Sequence, residues 1–219
     1  MKPGGKSDLG TACNSLHLLK NLSMASAFSH AFVALALGKA LRLPVLTWPL
    51  LLMGMVCSII PDADVIGFSF GIRYSDLWGH RGMTHSLFFA GLLSAVLVGL
   101  CYRKKSSTEK VGIGVYLFLC TMSHGVLDAL TDGGLGVAFF SPFDPTRYFF
   151  PFRPVAVSPI GIGDFFNEHA VRILASEVAW IWLPTTALFL MVQGCHYLWC
   201  GRFSRDHHRA IQPPEPRER

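Results

Sequence analysis

Residues 123–132 read SHGVLDALTD, which puts His124 and Asp128 four positions apart. On a helix that spacing presents an imidazole and a carboxylate to one spot, and Asp132 extends the line by about another turn. Three other stretches carry similar groups: PDAD at 61–64, HRGMTHS at 80–86, and the early His30 in SHAFVALALGKA. Each lies at or inside an apolar run, where a polar group costs free energy unless it has a partner. Nitrogen and oxygen donors from four separate segments are the donor set of a zinc or mixed divalent site, with carboxylates able to bridge two ions. The expected ligands are His30, Asp62, His85, His124 and Asp128. Asp64 and His80 are expected as further ligands, as groups that orient a ligand, or as the general base. Taken singly, each has a plainer reading. A lone intramembrane histidine is usually an interhelical hydrogen-bond partner, His124 with Asp128 can be a structural pair, and two aspartates after Pro61 suit a turn. Their coincidence at the same ends of different segments favours the metal.

The segments that must position these groups are apolar and long. Stretches 26–43, 45–60, 84–102, 111–130 and 178–200 each approach the roughly 20 residues of a spanning helix. The fold class expected is therefore all-α, a multi-pass membrane bundle of about five helices. Pro61 is expected to help end the second helix, and Thr84 to cap the third. Joining helices two and three through 61–83, and four and five through 131–177, brings both long polar loops to one membrane face, together with the start of helix one. Three parts follow: a polar segment 1–25, a membrane-embedded hydrolase-like domain 26–200, and a disordered polar tail 201–219.

Composition agrees with this class. Of 219 residues, 51% are hydrophobic and 15% charged, against roughly 25% charged in soluble domains, and the mean hydropathy is +0.41. A net charge of +5 would suit a nucleic-acid binder only if it were clustered. The sole run is Arg103, Lys104 and Lys105, so no nucleic acid is expected and the run reads as a topological signal. With loop 103–110 cytoplasmic, Lys39, Arg42 and the basic tail share its side, and the His/Asp groups face the other. The six cysteines show no CxxC spacing, which argues against a disulfide framework or a thiolate zinc site.

Stretch 138–166 holds five prolines and eight phenylalanines, with Arg147 and Arg153 between them. It cannot form a regular spanning helix, and its aromatics suit a loop at the headgroup level. The two arginines would hold a phosphate by bidentate contacts, or the loop serves as an anchoring lid. Glu168 and His169 are a reserve source of a ligand.

On these residues the sequence resembles the YdjM family of inner-membrane-associated metal-dependent hydrolases. The resemblance rests on His30, PDAD, HRGMTHS, SHGVLDALTDGG and the aromatic-proline stretch, over about 26–200. That family in turn is distantly similar to zinc-dependent phospholipase C and to the S1/P1 class of single-strand-specific nucleases, helical enzymes with clustered His and Asp zinc ligands. His30, Asp62, His85, His124 and Asp128 follow their order of an early histidine, an aspartate, a histidine and a His-xxx-Asp helix. The sequence shows no later His, His, Glu set for a third zinc, so the resemblance implies one or two ions.

Together these readings describe a hydrolase of the bacterial inner membrane that acts on a phosphoester of a lipid or lipid-linked substrate. A divalent metal, zinc first among them, activates water. Asp64, or else His80, accepts the proton, and Arg81, Arg147 or Arg153 binds the phosphate. The alternative is a transport or membrane-organising protein whose His/Asp cluster binds an ion or proton without chemistry.

Overall fold

The computed structural model describes residues 23–159 and 170–211. Five helical segments form an all-α bundle. Helix α1 (Ala27–Leu41) is followed by α2 (Trp48–Cys57), α3 (Leu87–Cys101), α4 (Ser107–Ala129), and α5 (Ala170–Glu177), which continues through a π-helical turn (Val178–Trp182) into α6 (Leu183–Ile211). The only strands among the described residues are β1 (Ser23–Met24) and β2 (Ser158–Pro159), paired antiparallel. Three stretches are long and apolar enough to cross a membrane: Trp48–Phe70, Ser107–Ala129 and Val171–Trp199. Helices α1 and α3 have 15 residues each, about 22 Å at 1.5 Å per residue, against a hydrocarbon core of about 30 Å.

Three local expectations are corrected. Pro61 does not end the second segment in a turn. It sits at the start of a 3-10 helix, Ile60–Phe70, that carries the same segment onward, because the first turn of a helix has no use for the proline's missing N–H. Asp62 and Asp64 are thus helical residues, and at three residues per turn two positions apart they point to different sides. Thr84 does not cap α3. Ser86 does, its Oγ accepting from Phe89 N at 3.0 Å, since α3 begins at Leu87, two residues later than expected. Helix α4 ends at Ala129, so Asp132 lies past it and accepts from Val157 N instead.

The core away from the polar end is built by α1, α2 and α4 around Ala34, Leu50, Leu51, Ile113, Tyr116 and Leu117. At the polar end, the lack of a side chain at Gly125 lets α4 approach the 3-10 turn Met83–His85, since a Cβ there would lie 2.9 Å from the His85 carbonyl oxygen. Beyond α4 the chain runs irregularly through 130–157. The helical backbone of α6 reaches Ile211 and so includes the first part of the expected tail. Residues 1–22 and 212–219, and the reserve ligands Glu168 and His169, lie outside the described residues.

Candidate metal centre

Three elements converge where the topology requires. The 3-10 helix brings Asp62, the Met83–His85 turn brings His85, and the last turns of α4 bring His124 and Asp128. One donor atom from each of the four lies within 4.8 Å of all the others, and all four residues are buried. His124 Nε2 is 3.0 Å from His85 Nε2 and 3.1 Å from Asp62 Oδ1. His85 Nε2 is 3.4 Å from Asp128 Oδ2 and 3.8 Å from Asp62 Oδ1, and His124 Nε2 is 3.7 Å from Asp128 Oδ2. Ligands about 2.0–2.1 Å from a tetrahedral zinc lie about 3.3 Å from one another, so these separations match the edges of a coordination polyhedron.

The protonation pattern points the same way. His124 Nδ1 is 2.7 Å from the carbonyl oxygen of Ser58, which can only accept, so Nδ1 carries the hydrogen and Nε2 turns its lone pair inward. Ser58 caps the end of α2, where a helix leaves carbonyls unclaimed. His85 Nδ1 is backed by Asp64 Oδ2 at 3.3 Å, and Thr84 Oγ1 donates to that same oxygen at 2.7 Å. Its Nε2 lone pair therefore faces inward as well. Two imidazole lone pairs and two carboxylates this close repel unless a cation or a proton sits among them, with the Arg81 guanidinium offsetting the charge of Asp128 from outside the group. Both oxygens of Asp62 and Oδ2 of Asp128 have no hydrogen-bond partner. Burial by itself would lower the His85 pKa, but the carboxylates of Asp128, Asp62 and Asp64 around its ring outweigh that and raise it well above the usual histidine value. The donor set therefore fits a divalent metal, and without one a proton takes the place of the ion.

The other expected residues fall at different distances from this group. His30 is fully buried and stacks on His124 with ring centroids 3.9 Å apart, and its Nε2 is 3.9 Å from Asp128 Oδ1. It borders the four without joining them, and neither ring nitrogen has a hydrogen-bond partner. Asp64 stands behind His85, and its Oδ1 is 2.7 Å from His80 Nδ1, so one carboxylate serves two imidazoles. Asp64, His80 and His85 form a second, smaller donor group.

Arg81 is fully buried with a φ of 62°, a conformation few non-glycine residues adopt. Its side chain holds it there: Nε is 3.1 Å from Asp128 Oδ2, Nη1 donates to Gly133 O and Nη2 to Thr131 Oγ1. Arg147 donates to the carbonyls of His80 and Tyr74, each at 3.0 Å, and so ties the 138–157 stretch to the loop before His80. Arg153 is exposed, with its guanidinium 4.6 Å from the Phe149 ring. The structure thus places Arg81 against the cluster and does not bring Arg147 or Arg153 to it.

Sequence reasoning passed over Glu177. It is buried and accepts from Ser26 Oγ at 2.5 Å and Ser29 Oγ at 2.8 Å, anchoring the start of the helix that carries His30. The only signal for it was a single acid in an otherwise apolar stretch.

Residues 24–200 match the family model described as YdjM inner membrane protein. The chain is 34% identical over 171 residues to the protein described as Inner membrane protein YbcI from Escherichia coli (strain K12), a match covering 77% of this chain and 97% of that one. No solved structure matches the chain.

Proposed function

Because this chain belongs to the YdjM family of inner membrane proteins, we propose that it is a membrane-bound, metal-dependent hydrolase that cleaves a phosphoester of a lipid or lipid-linked substrate. One observation carries the reading: four buried residues from three elements each bring a ligand atom within 4.8 Å of the other three, and both imidazoles turn their Nε2 lone pairs toward that cluster. Zinc is the first choice of metal, since two imidazoles and two carboxylates suit it. A divalent cation held there supplies Lewis acidity to a water and to the phosphoryl oxygens of the substrate. His85, His124, Asp62 and Asp128 hold the ion, and His30 shields it from the α1 side.

Asp64 is a positioning residue in this scheme. It fixes the His85 tautomer and is fully engaged with His85, His80 and Thr84. The proton of the attacking water goes to Asp62, whose Oδ2 is unpartnered and whose side chain is 10% exposed, against none for His85, His124 or Asp128. The water oxygen would bond to phosphorus as the ester P–O bond breaks, and the departing alkoxide would take the proton that Asp62 received. Arg81 steadies Asp128. Arg153, exposed on the aromatic loop, would meet a phosphate arriving from the bilayer, while Arg147 holds that loop through its bonds to backbone carbonyls. The basic 103–110 loop, read as cytoplasmic, supports a cluster on the non-cytoplasmic side.

The near-complete burial of the cluster favours one rival, an ion held without turnover, because a structural metal site is closed whereas a catalytic one keeps a position open. Metal content measured on purified protein, together with turnover on a panel of phospholipids and lipid-linked phosphates, separates the two. The hydrolase reading expects about one or two ions per chain and hydrolysis that His124→Ala and Asp128→Ala both abolish. Stoichiometric metal with no turnover on any phosphoester establishes the rival, and no metal at all removes both.

A further inference from the structure

A second feature lies away from the cluster, between α1 and α6. Val33, Ala36, Leu37 and Ala40 on one side and Leu188 and Val192 on the other line a groove of about 200 Å³. That is smaller than the roughly 300 Å³ at which drug-sized pockets begin, and it suits a single chain rather than a ring system. From Val33 to Ala40 the groove follows the helix for about 10 Å. Toward the cluster, Trp182 stacks on Phe32 at 5.0 Å and donates to Ser29 Oγ, joining the two helices there. Outward the groove is open, because α6 leaves most of its apolar surface uncovered, with Leu188 57% and Met191 59% exposed.

The other end of the groove is cationic. Lys39 is exposed, with Nζ 5.3 Å from the Trp48 ring. Arg42, also exposed, donates from Nη1 to His196 Nδ1 at 2.6 Å. Gln193 donates to the Lys39 carbonyl and brings α6 against this corner. Neither Lys39 nor Arg42 has a carboxylate partner among the described residues. An apolar slot of one chain's width that ends in two cations with no carboxylate partner among the described residues matches one ligand chemistry, an amphiphile with a hydrocarbon tail and an anionic head.

We propose that this groove binds one acyl chain of an anionic phospholipid, with the phosphate held by Lys39 and Arg42. The site is separate from the metal cluster and does not depend on its being catalytic. A second copy of the chain fits less well. Two copies related by an axis along the membrane normal meet at equal depths, which would set these cations against their own kind.

Native mass spectrometry of the full chain in neutral detergent tests the proposal, with dioleoyl phosphatidylglycerol and dioleoyl phosphatidylcholine as probes that share tails and differ in head charge. The wild type is expected to retain the anionic lipid about tenfold better than the zwitterionic one. Lys39→Gln and Arg42→Gln should each reduce that retention about fivefold, and Ala36→Leu, which fills the slot, should reduce retention of both lipids. Inorganic phosphate should not displace the bound lipid. Helicity and metal content should stay at wild-type values, which keeps the result distinct from any failure of the hydrolase reading. Equal retention of the two lipids by wild type overturns the proposal without recourse to any variant. So does an anionic preference that survives the Lys39→Gln, Arg42→Gln double variant, or a dimer that Ala36→Leu dissolves.

Discussion

Replacing Asp64 with asparagine tests whether the cluster is built for metal. The side chain keeps its shape, but one of its two acceptor oxygens becomes an NH2 donor. At present Oδ1 faces His80 Nδ1 at 2.7 Å, while Oδ2 accepts from the Thr84 hydroxyl at 2.7 Å and lies 3.3 Å from His85 Nδ1. With the amide nitrogen on the Oδ2 side, His85 Nδ1 is driven to accept, so its hydrogen moves to Nε2 and points at His124 Nε2 only 3.0 Å away. With the nitrogen on the other side, the same conflict falls on His80. Groups that orient a metal-ligating histidine in this way are worth about 10–100-fold in metal affinity, or about 1.4–2.7 kcal/mol. Zinc affinity measured by competition with a chromophoric chelator on detergent-purified protein reads this directly. Asp64→Asn is expected to weaken binding by that factor while the number of ions per chain stays unchanged. His124→Ala, which removes an expected ligand outright, should cost far more. An Asp64→Asn affinity within twofold of wild type refutes the orienting role, and complete loss of the metal means that Asp64 is itself a ligand.

Two other outcomes follow from the same geometry. The raised His85 pKa means that the metal-free centre holds a proton which the ion must displace. Metal affinity should therefore rise with pH, by about tenfold per unit for one displaced proton, from about pH 6 up to the raised His85 pKa and level off above it; a flat profile of chelator competition over that range contradicts the assignment. Arg81→Met leaves the buried Asp128 without its guanidinium and strands the acceptors Gly133 O and Thr131 Oγ1. Breaking such a pair costs about 3–5 kcal/mol, visible as a clear fall in thermal midpoint, and a midpoint within about a degree of wild type would show the contact to be idle.

Much of this was legible in the chain itself. Local periodicity identified five apolar segments, and the i, i+4 spacing of His124 and Asp128 placed both groups on one face before any packing was known. Segment count then fixed which ends meet, and so brought Asp62 and His85 to the same place. What linear order leaves open is which side of a partner a group approaches. Asp62 and Asp64 look equivalent in PDAD, yet the 3-10 geometry sends one into the cluster and the other behind His85. Arg81, Arg147 and Arg153 look like three phosphate binders, yet packing commits the first to Asp128 and the second to backbone carbonyls. Glu177 carried almost no signal, because its partners Ser26 and Ser29 stand roughly 150 positions away. Side-chain chemistry and spacing are local properties that the chain carries openly, whereas the partner of each buried polar group is decided by contacts between distant segments, which exist only once the helices have packed.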